Sequence, residues 1–193
     1  MPTLRGRALP LAGVLALIVA ACASTPVLPP LTGTPTAERA FEIDGRLSAR
    51  RGDDAITLAF VWKHSAIRDE FVVTTPLGQA VAELTSEAAT RRVEVRTADG
   101  RHDEANDWPA LTERVVGFPL PVGALTWWAQ GIPSVGTPHS VETDSAGRTS
   151  VLHQDGCDIA YSYADASARL PIRLGLVCRD VEIRIVIERW RAA

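Results

Sequence analysis

The feature of this sequence that most constrains its fold is an alternation of apolar and polar residues that recurs from residue 41 onwards. Successive side chains of a β-strand point to opposite faces of a sheet, so the alternation predicts strands with one buried face. Turn sequences such as Asp99-Gly100 separate the segments. Short strands joined by turns predict an antiparallel sheet that curls or closes. The predicted strands are 41–50, 56–62, 68–75, 79–85, 91–97, 141–143, 149–154, 158–163, 172–178 and 181–189.

One region departs from this alternation and predicts two short helices. Asp107 suits the start of a helix because its side chain can accept a backbone N–H, and Pro109 suits the first turn, where no N–H is needed. Gly117 predicts the end of this first helix. A second helix is predicted over 121–130, with Gly131 after its end. The predicted fold class is therefore mainly β, with two short helices inserted before the last strands.

The N-terminal residues have the composition of a lipoprotein signal. Arg5 and Arg7 precede an apolar run over 8–21, and Cys22 follows two alanines. A positive start, an apolar stretch and small residues before a cleavage site define a secretory signal peptide, and this run is short of the roughly 20 residues that span a bilayer. We predict a signal peptide over 1–21 and lipid attachment at Cys22, in preference to a simple signal peptide with an unrelated cysteine.

The remaining chain divides into a tether and one domain. Residues 22–37 are dominated by Pro, Thr and Ser, a composition typical of flexible linkers. Residues 38–193 have the length of a single domain that can bury a core of its own.

Charge and motifs argue against nucleic-acid binding and against catalysis. Lysine and arginine number 20 against 23 acidic residues, and two arginines belong to the signal peptide, so the chain from residue 22 carries a formal net charge of −5. Nucleic-acid binders are usually basic. The four histidines lack the spacing of metal ligands, and no nucleophile or phosphate-binding motif is present. No catalytic residue, metal or cofactor is therefore expected.

Large apolar residues on the predicted strands and the second helix have two interpretations. They can fill an ordinary core, or line an apolar cavity of the kind in which curved sheets hold lipid-like ligands. Composition does not separate these alternatives. The candidate cavity and lid residues are Phe60, Trp62, Leu84, Leu125, Trp127, Trp128, Ile185 and Ile187.

The turn Pro76-Leu77-Gly78 is unusual because it places leucine at the tip between two predicted strands, where polar residues are normal. On a lipid-anchored protein, a rigid apolar tip can enter a bilayer surface. The alternative is that Leu77 folds back onto the body of the domain.

Taken in order along the chain, these residues resemble the LolB family, whose members are outer-membrane receptors of the lipoprotein localisation pathway. The block Gly117-Phe118-Pro119-Leu120-Pro121, followed by Leu125, Trp128, Gly131 and Pro133, carries the resemblance most specifically. The other matching residues are Gly45-Arg46-Leu47, Phe60, Trp62, Pro76-Leu77-Gly78, Gln154-Asp155-Gly156, Tyr161, Tyr163, Leu170-Pro171 and Trp190.

The resemblance implies an unclosed antiparallel β-barrel of about 10–11 strands, with a lid of short helices over an apolar cavity. It implies a monomer that takes acylated lipoproteins from a LolA-like periplasmic carrier and inserts them into outer-membrane lipid. The family's membrane-inserting apolar residue matches Leu77, and the second helix is expected to open as the lid. Ala23 after Cys22 fits release to the periplasmic leaflet of the outer membrane. The alternative is a lipid-anchored envelope hydrolase or structural lipoprotein on a similar sheet.

Two cysteines do not follow the family pattern. Cys157 stands where the family usually has tryptophan after Gly156, and Cys178 lies in the neighbouring predicted strand. A hairpin formed by 158–163 and 172–177 places the two cysteines directly opposite one another. A disulfide is predicted from this register, and two buried thiols that act as small apolar side chains are the alternative.

Overall fold

The computed structural model describes residues 39–75, 77–90 and 92–192, without the side chain of residue 116. The signal peptide, Cys22, the tether and Pro76 lie outside the described residues. The strands of the described part are β1 (Phe41–Arg51), β2 (Asp54–His64), β3 (Arg68–Thr74), β4 (Ala80–Glu87), β5 (Arg92–Thr97), β6 (His102–Ala105), β7 (His139–Thr143), β8 (Thr149–Gln154), β9 (Cys157–Ser162), β10 (Arg173–Cys178) and β11 (Val181–Ala192). The helices, which lie between β6 and β7, are α1 (Trp108–Val116) and α2 (Val122–Trp128).

The strands form one antiparallel sheet in the order β6-β5-β4-β3-β2-β1-β11-β10-β9-β8-β7. Strands β1 to β6 form one meander and β7 to β11 form a second, and the pairing of β1 with β11 joins them. Within the described residues β6 and β7 are the two edges and do not pair with each other. The prediction of a mainly β, unclosed antiparallel sheet with two short helices is confirmed.

The antiparallel pairing assigns every turn to one of two ends of the sheet. One end, which we call the rim, carries the β1–β2, β3–β4, β5–β6, β8–β9 and β10–β11 turns. The opposite end, which we call the floor, carries Phe41, His64 and the β2–β3 and β4–β5 turns. Helix α1 runs from the floor to the rim, where Arg51 donates to the carbonyl oxygen of Gly117.

Gly45 is fixed by the close approach of two strands. The β1–β11 register shifts between Asp44 and Gly45. A Cβ atom at position 45 would lie 2.1 Å from the carbonyl oxygen of Val186, a distance that no side chain tolerates. The glycine of the Gly-Arg-Leu motif is therefore required by backbone packing at the centre of the sheet.

The predicted ends of α1 are confirmed, and α2 is shorter than predicted. Asp107 accepts a hydrogen bond of 2.8 Å from the backbone of Ala110, and Gly117 ends α1 with φ 88°. Helix α2 ends at Trp128 instead of residue 130. The backbone tightens there into a turn, in which Gly131 donates to the carbonyl oxygen of Trp128.

Strand β6 was not predicted from the sequence. Its four residues, His102–Ala105, have no run of apolar side chains and form a strand only because they pair with β5. A short polar edge strand of this kind has little sequence signal.

The register of β9 and β10 is the predicted one. Cys157 lies directly opposite Cys178, and a disulfide with an S–S distance of 2.01 Å joins them near the rim. The β8–β9 turn beside it places Asp155 and Gly156 at positive φ, as expected for a two-residue Asp-Gly hairpin turn.

The apolar core draws on residues from Phe41 to Trp190 in the described ranges. The strands of the same ranges pair with one another between Phe41 and Ala192.

An apolar cavity as the candidate functional site

A cavity of about 310 Å³ lies between the inner face of β11 and β1 to β5 on one side and the two helices on the other. Its wall has no titratable side chain, and Thr97 and Thr112 are its two polar residues. The Thr112 hydroxyl is occupied, since it donates to the carbonyl oxygen of Trp108 and accepts from the backbone of Leu120. The lining residues are Ile43, Leu47, Ile56, Leu58, Phe60, Trp62, Phe71, Val73, Val81, Ala82, Leu84, Thr97, Trp108, Thr112, Val115, Leu120, Val122, Leu125, Ala129, Ile183 and Ile185.

Aromatic side chains close the cavity at the floor. Trp62 stacks on Phe71 with ring centroids 4.6 Å apart, and Trp108 meets Phe71 edge to face at 5.4 Å. The indole N–H of Trp62 donates to Asp69 at 2.9 Å, and Nδ1 of His64 lies 2.8 Å from the same carboxylate oxygen. These polar contacts fix the orientation of Trp62, so the floor is a rigid aromatic surface.

The cavity opens at the rim. A bulge in the β3–β4 pairing leaves Val81 as an extra residue, because Val73 pairs with Ala82 and Thr74 pairs with Ala80. The bulge lets Val81 and Ala82 both line the cavity. Val81 is 37% exposed, and Val115 on α1 is 43% exposed. Apolar wall residues therefore reach solvent at this end.

Leu77 lies on the β3–β4 turn, at the same end as the cavity opening. Its side chain is 89% exposed. The turn is tight, because Gly78 donates to the carbonyl oxygen of Thr75 and adopts φ 82°. Leu77 does not fold back onto the domain, so the turn presents an apolar side chain to its surroundings.

The structure brings five of the eight predicted cavity residues to the cavity: Phe60, Trp62, Leu84, Leu125 and Ile185. It places Trp127, Trp128 and Ile187 elsewhere. Ile187 is buried in the core, and Trp127 is half-buried against it. Trp128 lies on α2 between the cavity residues Leu125 and Ala129, but its side chain is directed to Gln154 on β8.

Trp128 belongs to a buried polar network instead. Its indole N–H donates to the side-chain oxygen of Gln154 at 2.9 Å. Gln154 also accepts from the backbone of Ser134, and its amide donates to the carbonyl oxygen of Ser134 and to the Thr137 hydroxyl, each at 2.8 Å. One buried amide thus holds the end of α2 and the following loop against β8.

The two helices are held differently. Both helices bury apolar side chains, but buried hydrogen bonds at Gln154 hold the end of α2, whereas the polar contacts along the last turn of α1 are exposed. There Arg114 donates to the carbonyl oxygen of Glu104, and its guanidinium lies 3.4 Å from the carboxylate of Asp103. Exposed ion pairs contribute little stability.

The remaining wall residues were not predicted from the sequence. A signal for many of them was present, because Ile56 and Leu58 share the inward phase of β2 with Phe60 and Trp62, and Ile43 and Leu47 share the inward phase of β1. Val81 had no such signal, since the bulge takes it out of the alternation.

Two tyrosines that do not line the cavity have raised pKa values because they are buried. Desolvation raises the pKa of Tyr161, and it raises the pKa of Tyr163 to about 12. The Tyr163 hydroxyl donates to the carbonyl oxygen of Thr149 at 2.8 Å. Both groups stay neutral at physiological pH and act in packing.

The described residues contain neither a metal-binding cluster nor a membrane-spanning helix. No group of three or more His, Cys, Asp or Glu side chains in these ranges is arranged to hold a metal ion. None of the helices in the same ranges is long and apolar enough to cross a membrane.

An unclosed antiparallel sheet with an apolar cavity beneath short helices is an architecture in which proteins hold lipid-like ligands. Its fold is shared with a solved structure, a LolA superfamily protein from Nitrosomonas europaea, with a TM-score of 0.51, 7% sequence identity, and coverage of 81% of this chain and 87% of that one. A family model described as "Outer membrane lipoprotein LolB" matches residues 39–190. The chain therefore belongs to the LolB family, and the predicted resemblance is confirmed.

Curated relatives carry the same family name. The chain is 36% identical to "Outer-membrane lipoprotein LolB" of Azoarcus sp. strain BH72, with 93% of each chain covered. It is 31% identical to the protein of that name from Chromobacterium violaceum, with 92% and 95% covered. A Pseudomonas aeruginosa relative of that name is 32% identical over 79% of this chain and 74% of its own length.

Proposed function

We propose that this protein accepts acylated lipoproteins from a LolA-like periplasmic carrier and inserts them into the outer membrane, without catalysing a reaction. The observation that carries this proposal is a cavity free of titratable groups that opens beside an exposed leucine. Each buried methylene contributes about 0.8 kcal/mol, so acyl chains need such a shelter to cross water. Membership of the LolB family supports the same role.

Lipid attachment at Cys22 would anchor the domain in the periplasmic leaflet of the outer membrane. The signal-like residues 1–21 and the Pro- and Thr-rich tether support this arrangement. With the tether between them, the domain can meet a soluble carrier while its anchor stays in the membrane. A monomer suffices, since one domain contains the whole cavity.

The cavity must widen to take cargo. A cavity of ~150 Å³ binds benzene, so about 310 Å³ has room for roughly a dozen carbon atoms. That is less than several long acyl chains require. We expect α1 to move, because the polar contacts of its last turn, those of Arg114, are exposed, whereas buried bonds at Gln154 hold the end of α2. The expectation from the sequence, that the second helix opens, is the alternative.

Transfer without a nucleotide must run downhill in free energy. Apolar burial in the carrier and in this cavity nearly cancels, and a difference of ~1.4 kcal/mol already gives a tenfold preference. The free energy of the acyl chains is lowest in the bilayer, because there they are surrounded by other acyl chains.

Ligand binding tests the proposal through two adjacent residues of β2. Leu58 lines the cavity, whereas Thr57 lies on the exposed outer face. In the unlipidated chain made with Cys22→Ala, a fluorescent apolar probe should bind saturably and a short-chain lipopeptide should displace it. Leu58→Glu should abolish both signals because it buries a charge, and Thr57→Glu should leave them intact. Equal effects of the two variants, with both folded by circular dichroism, would refute the cavity as the binding site.

Delivery into liposomes tests the role of the Pro76-Leu77-Gly78 turn. Leu77→Glu should keep cargo binding and block delivery, because an acidic side chain costs about 2.5–3.5 kcal/mol at the membrane centre and less near its surface. Ile67→Glu is the matched control, since Ile67 is an exposed apolar residue on the β2–β3 turn at the floor. Unimpaired delivery by the Leu77 variant would contradict the assignment.

A further inference from the structure

A second pocket, of about 440 Å³, lies at the rim beside the apolar cavity. We call it the vestibule. It is formed by β5, β6, the turn between them and the last turn of α1, and most of its lining residues are polar or charged. Thr97 and Val115 line both the vestibule and the apolar cavity, so the two spaces adjoin at these residues. The vestibule residues are Val95, Thr97, Arg101, His102, Asp103, Arg114 and Val115.

The vestibule carries two arginines, each already paired with an acid. Arg101 bonds Asp99 through Nε at 2.8 Å, and Arg114 lies 3.4 Å from Asp103. A guanidinium has five N–H donors, so each arginine keeps donors beyond these contacts. Because each positive charge has an adjacent negative one, the vestibule offers hydrogen-bond donors and acceptors without a strong net charge.

We propose, on the basis of the proposed function, that the vestibule binds the neutral polar linkage of acylated cargo. This linkage consists of the glyceryl ester carbonyls and the first peptide amides after the acylated cysteine. Arg101 and Arg114 donate to the carbonyl oxygens, and Asp103 accepts from a peptide N–H. When acyl chains fill the cavity, their esters fall where the apolar wall ends, at Thr97 and Val115.

The position of the vestibule also sets the direction in which cargo leaves. It opens at the rim, where Leu77 is exposed. A different pocket, of about 350 Å³, adjoins the cavity near the floor, but Trp108 is the lining residue common to both and is itself buried. When the linkage of the cargo lies in the vestibule, the peptide of the cargo therefore extends from the rim, where the apolar turn is. The acyl chains leave the cavity at the same end on release.

The charge pattern distinguishes this ligand from an anionic lipid. A phosphate group in the vestibule would lie close to Asp99 and Asp103, and two like charges at short range oppose binding. Esters and amides make hydrogen bonds to both partners of each ion pair. The vestibule should thus prefer acylated peptide to a phospholipid with the same chains.

Binding measurements with two ligands test the vestibule separately from the cavity. The unlipidated chain made with Cys22→Ala is titrated with pyrene, which has no polar head, and with a short-chain N-acyl, S-diacylglyceryl cysteine peptide. Arg101→Gln and Arg114→Gln are examined singly and together. Arg101 holds no helix, so its variant separates ligand binding from release of α1. Arg92→Gln is the matched control, because Arg92 is an exposed, ion-paired arginine on the same hairpin, outside the vestibule.

The double variant should bind the lipopeptide about tenfold more weakly, as expected for the loss of hydrogen bonds from charged donors, with its affinity for pyrene unchanged. Arg101→Gln alone should show part of this loss, and Arg92→Gln none. Unchanged lipopeptide affinity in the double variant, or a parallel loss for pyrene, would overturn the proposal. If the chain without these arginine substitutions binds neither ligand, the proposed function fails as well.

Discussion

The two halves of the sheet are both built from antiparallel strands with alternating side chains, but the interior of one is filled and that of the other contains a cavity. In the half formed by β8 to β10, which we call the filled half, the inward residues Leu152, Ile159, Leu174 and Leu176 are almost completely buried. In the half formed by β1 to β5, which we call the hollow half, several inward residues stay partly exposed at the cavity, namely Leu47, Ile56, Leu58 and Leu84. Side-chain alternation gives both halves an apolar inward face. The elements that cover these faces determine which half is filled and which is hollow.

The covering elements explain why only one half is hollow. The end of α2 and the loop after it lie on the filled half, where Trp128 and Gln154 lock them in place. Helix α1 covers the hollow half, and its Val115 remains partly in solvent. A firmly packed half therefore lies beside a half that leaves apolar space unfilled.

Matched leucine truncations should separate the two halves most strongly. Leu176→Ala removes a fully buried side chain and should lower the free energy of unfolding by ~2–5 kcal/mol. Leu58→Ala enlarges a space that is already open and should cost about 1 kcal/mol, because few contacts are lost. Urea denaturation of both variants, with their unfolding curves fitted to a common m-value, measures the free energy of unfolding that each substitution removes.

Equal destabilisation by these two substitutions would break the comparison, because it would mean that the hollow half is packed as tightly as the filled one. Thermal unfolding of Thr57→Ala, beside Leu58 on the outer face, controls for the change in strand propensity.

Removal of the disulfide should weaken the filled half and leave the cavity intact. Cys157 and Cys178 are 21 residues apart in sequence, and a loop of this length corresponds to ~3 kcal/mol in the chain-entropy description. The double variant Cys157→Ala/Cys178→Ala should therefore unfold at lower denaturant and bind an apolar probe as before. Two free thiols in the unfolded, unreduced protein would show that the bond does not form.

Much of the sheet was predictable because its signals are local. The alternation in β1 and β2, and the Asp107, Pro109 and Gly117 pattern around α1, act over a few neighbouring residues. The β9–β10 register followed from the hairpin alone. Strand β6 was missed because it depends on its partner, and α2 was extended too far because the turn after Trp128 depends on tertiary contacts to β8.

The cavity was only partly predictable, because whether space is left between two elements depends on how they pack and not on any single residue. Phe60 and Trp128 are both large, apolar and inward-facing, yet one lines the cavity and the other fills the opposite half. Whether such a residue lines the cavity or fills the core depends on where α2 crosses the sheet. The vestibule was missed for the same reason, since Arg101 and Arg114 come together only through the placement of α1 beside β6.

The smallest expected difference between the halves is in the titration of two exposed groups. In the filled half, the hydrogen bond that the imidazole of His153 donates to the carboxylate of Asp158 raises the pKa of His153 above its usual 6.5. In the hollow half, hydrogen bonding to Thr97 lowers the pKa of Asp99 below its usual 3.8. The His153 contribution to stability is thus complete below pH 6.5 and lost as pH rises through its folded pKa. The Asp99 contribution is present above pH 3.8 and lost as pH falls through its folded pKa.

NMR titration measures both shifts directly. Asp158→Asn should return the pKa of His153 towards 6.5 and leave that of Asp99 unchanged, because the two groups lie in different halves of the sheet. Thr97→Val should do the reverse, raising the pKa of Asp99 towards 3.8 without moving that of His153. Both groups are exposed, so either substitution should alter stability only slightly. A His153 that titrates at or below 6.5 before any substitution would contradict the contact with Asp158, and a response of His153 to Thr97→Val would show that the halves are not independent.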